Sequence, residues 1–122
     1  MADRVIRDKI KRSRSLDRLS AHAEVLFYRL LTLTDGHGVF QADPVIVASS
    51  AFPLRRGLAP IDIAAWLHEL QDAGIVSFYK VDGEWYGVFR NWTVYNNLRS
   101  TKGSFPPMTT PVEWNPPFKE VL

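Results

Sequence analysis

The chain has 122 residues, a formal net charge of +2, 46% hydrophobic and 23% charged residues, and no cysteine. Its length suits one compact domain with a tail, and its composition is that of an ordinary globular protein. The missing cysteine excludes disulfides, zinc–thiolate sites and thiol catalysis; no run approaches the ~18 apolar residues of a membrane-spanning helix.

The basic N-terminus lacks an apolar h-region, so no signal peptide is expected and a cytoplasmic location is. The charge is unevenly placed. Residues 1–18 carry Arg4, Arg7, Lys9, Lys11, Arg12, Arg14 and Arg18 against three Asp, and residues 85–102 carry Arg90, Arg99 and Lys102 with no acid. Between them, residues 35–84 carry seven acids against Arg55, Arg56 and Lys80. Basic ends around an acidic middle suit contact with a phosphate backbone, and equally a solvated surface.

In chain order, residues 3–14 set Val5, Ile6 and Ile10 among dense positive charge, which suits a short helix or an ordered arm. Ser20 is placed to cap a helix whose first turn holds Ala23 and Glu24. Val25, Leu26, Tyr28, Leu30 and Leu33 are too many apolar residues for one narrow stripe, so this is the expected central core helix. Asp35-Gly36-His37-Gly38 ends it, with glycines available for positive φ. Val39-Phe40-Gln41 suits a short strand. Asp43 as cap and Pro44 at the first helical position open a second helix over 44–51, which stops before Pro53. A basic loop, Leu54 to Leu58, leads to a third helix near Pro60. There Ile63, Trp66, Leu67 and Leu70 form the buried stripe and Gly74 makes the stop.

Val76–Val81 and Glu84–Arg90 are rich in β-branched and aromatic residues. Asp82-Gly83 between them predicts a hairpin with a type I′ turn. Pairing about that turn sets Lys80 opposite Trp85, Phe78 opposite Gly87, Val76 opposite Phe89 and Tyr79 opposite Tyr86. Both hairpin faces are then apolar, whereas a three-helix core covers one. Asn91 suits the cap of a last turn over 92–97. Pro106, Pro107, Pro111, Pro116 and Pro117 exclude helix or central strand from the tail. Its aromatics favour an extended tail packed on the open hairpin face, of this subunit or of a neighbour.

These elements predict an α+β fold: a winged helix-turn-helix with a three-helix core, a small antiparallel hairpin wing and an extended Pro-rich tail. The expected divisions are a basic N-terminal arm over 1–18, the winged helix-turn-helix domain over 19–98 and the tail over 99–122.

No catalytic constellation emerges. His22, His37 and His68 lack partners at metal-ligand spacing, Gly36-x-Gly38 is too short for a phosphate loop, and Ser49-Ser50 has no base in view. The chain is therefore expected to be non-enzymatic, with no catalytic residue, metal or cofactor. In a winged helix the third helix usually enters the major groove. Here its outward stripe is Asp62, Ala65, Glu69 and Asp72, which a duplex with one negative charge per ~1.7 Å would repel. Contacts are then expected from the flanks: the Arg55-Arg56 loop, the wing at Lys80, and the basic ends. Lys80 is also placed to lay its ammonium over Trp85.

The segments VIRDKI (5–10), LSAHAEVLFYRLLTLTDGHGVFQADP (19–44), AFPLR (51–55), IDIAAWLHELQDAGIVSFYKVDGEWYGVFRNW (61–92) and RSTKGSFPP (99–107) resemble, in order and spacing, a known family. This is the phage and prophage winged-helix domain related to the N-terminal domain of replisome-organiser and replication-initiation proteins. The resemblance covers residues 4–107. It implies a winged helix, a bacterial host cell, a role on double-stranded DNA in phage replication, and no catalytic residue. Family members usually carry a further domain that engages helicase loaders, and this chain stops soon after the winged helix.

Two functions stay open. One is a DNA-binding protein with Arg12, Arg14, Arg55, Arg56, Lys80, Arg90, Arg99 and Lys102 on phosphate. The other is an interaction module, a homodimer or replisome adaptor, that buries Tyr79, Tyr86, Val88, Trp114 and Phe118 and does not use its third helix on DNA.

Overall fold

The structure, a computed structural model, describes Ile6, residues 8–90 and residues 105–107. Among these the fold is α+β, with four α-helices and one three-stranded antiparallel sheet. A 3-10 turn, Asp8–Arg12, leads into α1 (Arg14–Asp17), α2 (Ala21–Leu31), β1 (Val39–Gln41), α3 (Pro44–Ala51), α4 (Pro60–Asp72), β2 (Val76–Val81) and β3 (Glu84–Phe89).

The helix starts follow local chemistry. The Ser20 hydroxyl accepts from the Ala23 N–H at 3.2 Å, and an Asp43 carboxylate oxygen accepts from the Val45 N–H at 2.9 Å. Each thereby satisfies a first-turn donor that has no partner inside its helix. The basic N-terminal stretch is folded onto the domain over Asp8–Asp17: the Ser13 hydroxyl caps α1, Leu16 is buried in the core, and Ile10 packs against it.

Asp82 at φ 53° and Gly83 at φ 79° make the hairpin turn, whose I′ geometry needs positive φ at both positions. The register is the expected one, with Val76, Phe78, Tyr79 and Lys80 of β2 facing Phe89, Gly87, Tyr86 and Trp85 of β3. β1 joins the other edge of β3, so the strand order is β1-β3-β2. There Phe40 faces Gly87. A Cβ at Gly87 would overlap three ring carbons of Phe40, so the ring occupies the place of the missing side chain. On the inner face of the sheet, Phe40, Val76, Phe78 and Phe89 meet Leu26, Phe27, Leu30 and Leu31 of α2 and Ile63, Leu67 and Leu70 of α4 in one buried cluster.

The outer face of the sheet was expected to be covered by the tail, of this subunit or of a neighbour. It is covered by Phe105 and Pro106 of the same chain. Tyr79 is fully buried, and its hydroxyl donates to the Pro106 carbonyl at 2.6 Å. Its ring stacks on Tyr86, which in turn meets Phe105 at 6.0 Å between ring centroids. The Phe105 N–H donates to an oxygen of Asp35 at 3.1 Å. Tyr79 therefore offers no surface to a second subunit while this segment is in place. The expected last turn over 92–97, and the tail beyond Pro107, lie outside the described residues.

Candidate nucleic-acid interface

The outward stripe of α4 expected from the sequence was Asp62, Ala65, Glu69 and Asp72. Asp62 and Asp72 are exposed, whereas Ala65 and Glu69 are half-buried. The reason lies in α2. The Glu69 carboxylate accepts from both the Ser20 N–H and the Ser20 hydroxyl, each at 2.8 Å. Ser20 thus caps its own helix and ties its start to α4. Beside it the His22 ring stacks on Trp66 at 5.1 Å with the planes 9° apart. His68 Nδ1 lies 3.4 Å from an Asp72 carboxylate oxygen, where it forms an ion pair when protonated. No residue of α4 between Asp62 and Asp72 is exposed. The middle of this helix is buried or half-buried, and one of its three acids is bonded to Ser20.

The cations sit at its ends. Arg55 and Arg56 are exposed in the loop between α3 and α4. The Arg55 guanidinium lies 5.0 Å from the centroid of the Phe52 ring. Arg29 lies over the same ring at 4.6 Å and donates to the Ala51 carbonyl at 2.8 Å. Phe52 meets Trp66 edge-on at 6.2 Å, so this loop is braced on an aromatic support that runs into α4. No side chain caps the start of α4, which opens Ala59-Pro60. Its positive dipole end therefore faces the same region as the two arginines. At the other end, the Arg90 guanidinium lies beside Gly74, just past the helix. On the wing, the Lys80 ammonium lies 5.0 Å from the centroid of Trp85, and Lys80 stays exposed.

Arg12, at the end of the 3-10 turn, and Arg14, at the start of α1, are exposed. Arg99 and Lys102 lie outside the described residues, as do Trp114 and Phe118 of the expected partner interface. Tyr86 and Val88, from the same interface, are half-buried. Next to Arg55, Val45, Ala48, Phe52, Pro53 and Leu58 line a shallow groove of about 330 Å³. Leu54, in the same loop as Arg55, is 95% exposed.

The sequence reading missed Asp35, which it treated as a helix-ending turn residue. Asp35 is buried, and one of its oxygens accepts from the His37 N–H at 2.9 Å and the Val39 N–H at 3.1 Å, while the other holds Phe105. The sequence does carry the signal for the first part, since an Asp before a Gly-x-Gly turn commonly bonds its own backbone two residues on. It carries none for the bond to Phe105.

Among the described residues, no three His, Cys, Asp or Glu side chains converge on a metal-sized site, and no helix is long and apolar enough to cross a membrane. Comparison with known families, with curated proteins and with solved structures found no match for this chain.

Proposed function

We propose that this chain is a winged helix-turn-helix domain that binds double-stranded DNA through the flanks of α4 instead of its face. The element order from α2 to β3 and the strand order β1-β3-β2 support the winged-helix reading. The observation that carries the DNA reading is the placement of exposed cations about α4: Arg55 and Arg56 before it, Arg90 after it and Lys80 on the wing. Phosphate contacts of this kind supply most sequence-independent affinity and position a protein on the duplex. Arg12 and Arg14 add charge from the N-terminal segment. The resemblance to phage replication-initiation domains gives the proposed setting, phage DNA replication in the cytoplasm of a bacterial host, with no chemistry performed by the chain itself.

The test is duplex binding by fluorescence anisotropy across a salt series. The expected result is binding at about 50 mM salt that weakens steeply as salt rises. Arg55→Ala with Arg56→Ala should weaken binding about tenfold or more and flatten the salt slope by about two. Absence of binding at that salt on duplexes of varied sequence overturns the proposal.

The second reading, an adaptor for a replisome protein or a second copy, is favoured by one observation. Val45, at 55% exposure, lines the groove beside α3 with Ala48, Phe52, Pro53 and Leu58, and exposed apolar residues set together are characteristic of protein contacts. That reading predicts a complex weakened by Val45→Ser and indifferent to Lys80→Ala.

A further inference from the structure

We infer that the outer face of the sheet is a peptide-binding site for an extended segment with an aromatic residue followed by proline, filled in this chain by its own Phe105–Pro107. The inference stands apart from the DNA reading, because none of its residues is among the cations around α4.

The receptor half is built without the segment. Asp35 is held by the turn before β1: one oxygen accepts from His37 and Val39, and its own N–H donates to the Val39 carbonyl at 2.9 Å. This fixes the second oxygen as an acceptor at the edge of the sheet. Tyr79 and Tyr86 face each other across β2 and β3 with rings 5.6 Å apart. Together they offer an aromatic floor and one phenol donor. A buried phenol hydroxyl needs a partner, and Tyr79 finds it in the Pro106 carbonyl.

The ligand half matches group by group. Pro106 and Pro107 have no N–H, so the Phe105 N–H is the backbone donor of the triplet, and Asp35 accepts it. The Phe105 ring lies against Tyr86. The carbonyl of the following residue, Pro106, takes the phenol. A residue before proline is confined to extended conformations and proline fixes its own φ, so the triplet is nearly ordered before it docks. Little conformational entropy is lost on binding, which is why aromatic-lined surfaces suit proline-rich segments. The site therefore reads the N–H and ring of an aromatic residue and the carbonyl of the residue after it. Any chain supplying them, a second copy included, competes with residues 105–107.

The test uses the full chain with its own segment disabled by Phe105→Ser and Pro106→Gly, titrated with the hexapeptide GSFPPM (residues 103–108) and followed by amide chemical shifts. The disabled chain should bind the peptide with a Kd on the order of 1 mM, moving Val39, Tyr79 and Tyr86. The unaltered chain should bind it at least about twofold more weakly, because its tethered segment holds the site at an effective concentration of about millimolar or above. A peptide with Ala for Phe should not bind. Adding Tyr79→Phe to the disabled chain should weaken binding several-fold while leaving the hairpin shifts in place. If the double substitution disturbs the hairpin, Phe105→Leu provides a milder opening of the site for the same titration. No shifts up to about 10 mM peptide in a folded, disabled chain would overturn the inference, as would equal binding of the Ala peptide.

Discussion

The outer face of the sheet and the loop between α3 and α4 are both rich in groups that suit a partner, yet the chain treats them in opposite ways. On the sheet, Tyr79 is fully buried, and Phe105 and Pro106 of the same chain meet its hydroxyl and the second oxygen of Asp35. In the loop, Leu54 is 95% exposed and Arg55 and Arg56 face solvent. On α4, Glu69 falls with the sheet: its carboxylate, which on charge alone would repel a duplex, is bonded twice to Ser20. Apolar or charged character therefore does not by itself mark an interface. What distinguishes the two regions is whether the chain supplies the complementary group. The closed surfaces are bonded within the chain, and the open ones leave their groups to solvent.

The largest effect is expected where the closed region converges on one side chain. Asp35→Ala removes the acceptor of three backbone N–H groups, on His37, Val39 and Phe105. Buried donors left without partners are costly, so unfolding in urea should show a loss of about 3 kcal/mol and weakened protection of Phe105 from hydrogen exchange. Unchanged stability would mean that this carboxylate does not join the turn to the segment.

Next is the contact of Phe40 with Gly87. Gly87→Ala places a methyl group inside the Phe40 ring, and overpacking of this kind costs about 2 kcal/mol. Phe40→Leu in the same chain should recover part of that loss. Strict additivity of the two substitutions would show that the ring and the glycine are not coupled.

A smaller effect is expected at high pH. Burial, then the nearby Asp35 charge and Tyr86, push the Tyr79 phenol up to about 12 from its ordinary 10.0. The folded state thus holds this proton more tightly than the unfolded chain. Its contribution to stability is complete below pH 10 and is lost as pH rises towards 12. Tyr79→Phe should cost about 1 kcal/mol at neutral pH, and the gap between the two proteins should close over that window. A gap that stays constant up to pH 12 would contradict the placement of the phenol.

The smallest effect concerns the face of α4. Glu69→Ala should cost about 1 kcal/mol, and Ser20→Ala in addition should cost about 1 kcal/mol more, because it also removes the hydroxyl that caps α2. Duplex binding should change little in Glu69→Ala, whereas a gain above about tenfold would show that this carboxylate had been facing phosphate.

The features legible in the sequence were the local ones. Ser20 and Asp43 cap helices within three residues of themselves, and Asp82-Gly83 sets the register of the hairpin by the backbone angles it alone favours. The sheet's second apolar face was also legible, as alternation in β2 and β3, and with it the need for a cover. The identity of the ties was not. Ser20 and Glu69 are 49 residues apart, and Asp35 and Phe105 are 70 apart. Neither pair leaves a mark in periodicity, capping or turn chemistry, because each partner alone looks like an ordinary surface acid or a loop residue. The same limit made Glu69 look like part of an exposed acidic stripe. The Arg55-Arg56 loop was legible as a basic interruption of an acidic middle, but its brace on Phe52 depends on the fold.

The central claim is that this chain meets DNA with the flanks of α4 and keeps its closed surfaces closed. An amide chemical-shift titration with duplex DNA at low salt tests it most directly. The account predicts shifts concentrated at Arg55, Arg56, Gly57, Lys80 and Arg90, with Ala65, Glu69, Tyr79 and Phe105 unmoved. Shifts centred on Ala65 and Glu69, with loss of the Ser20 cap, would contradict it, as would a duplex that moves no residue around α4 at all.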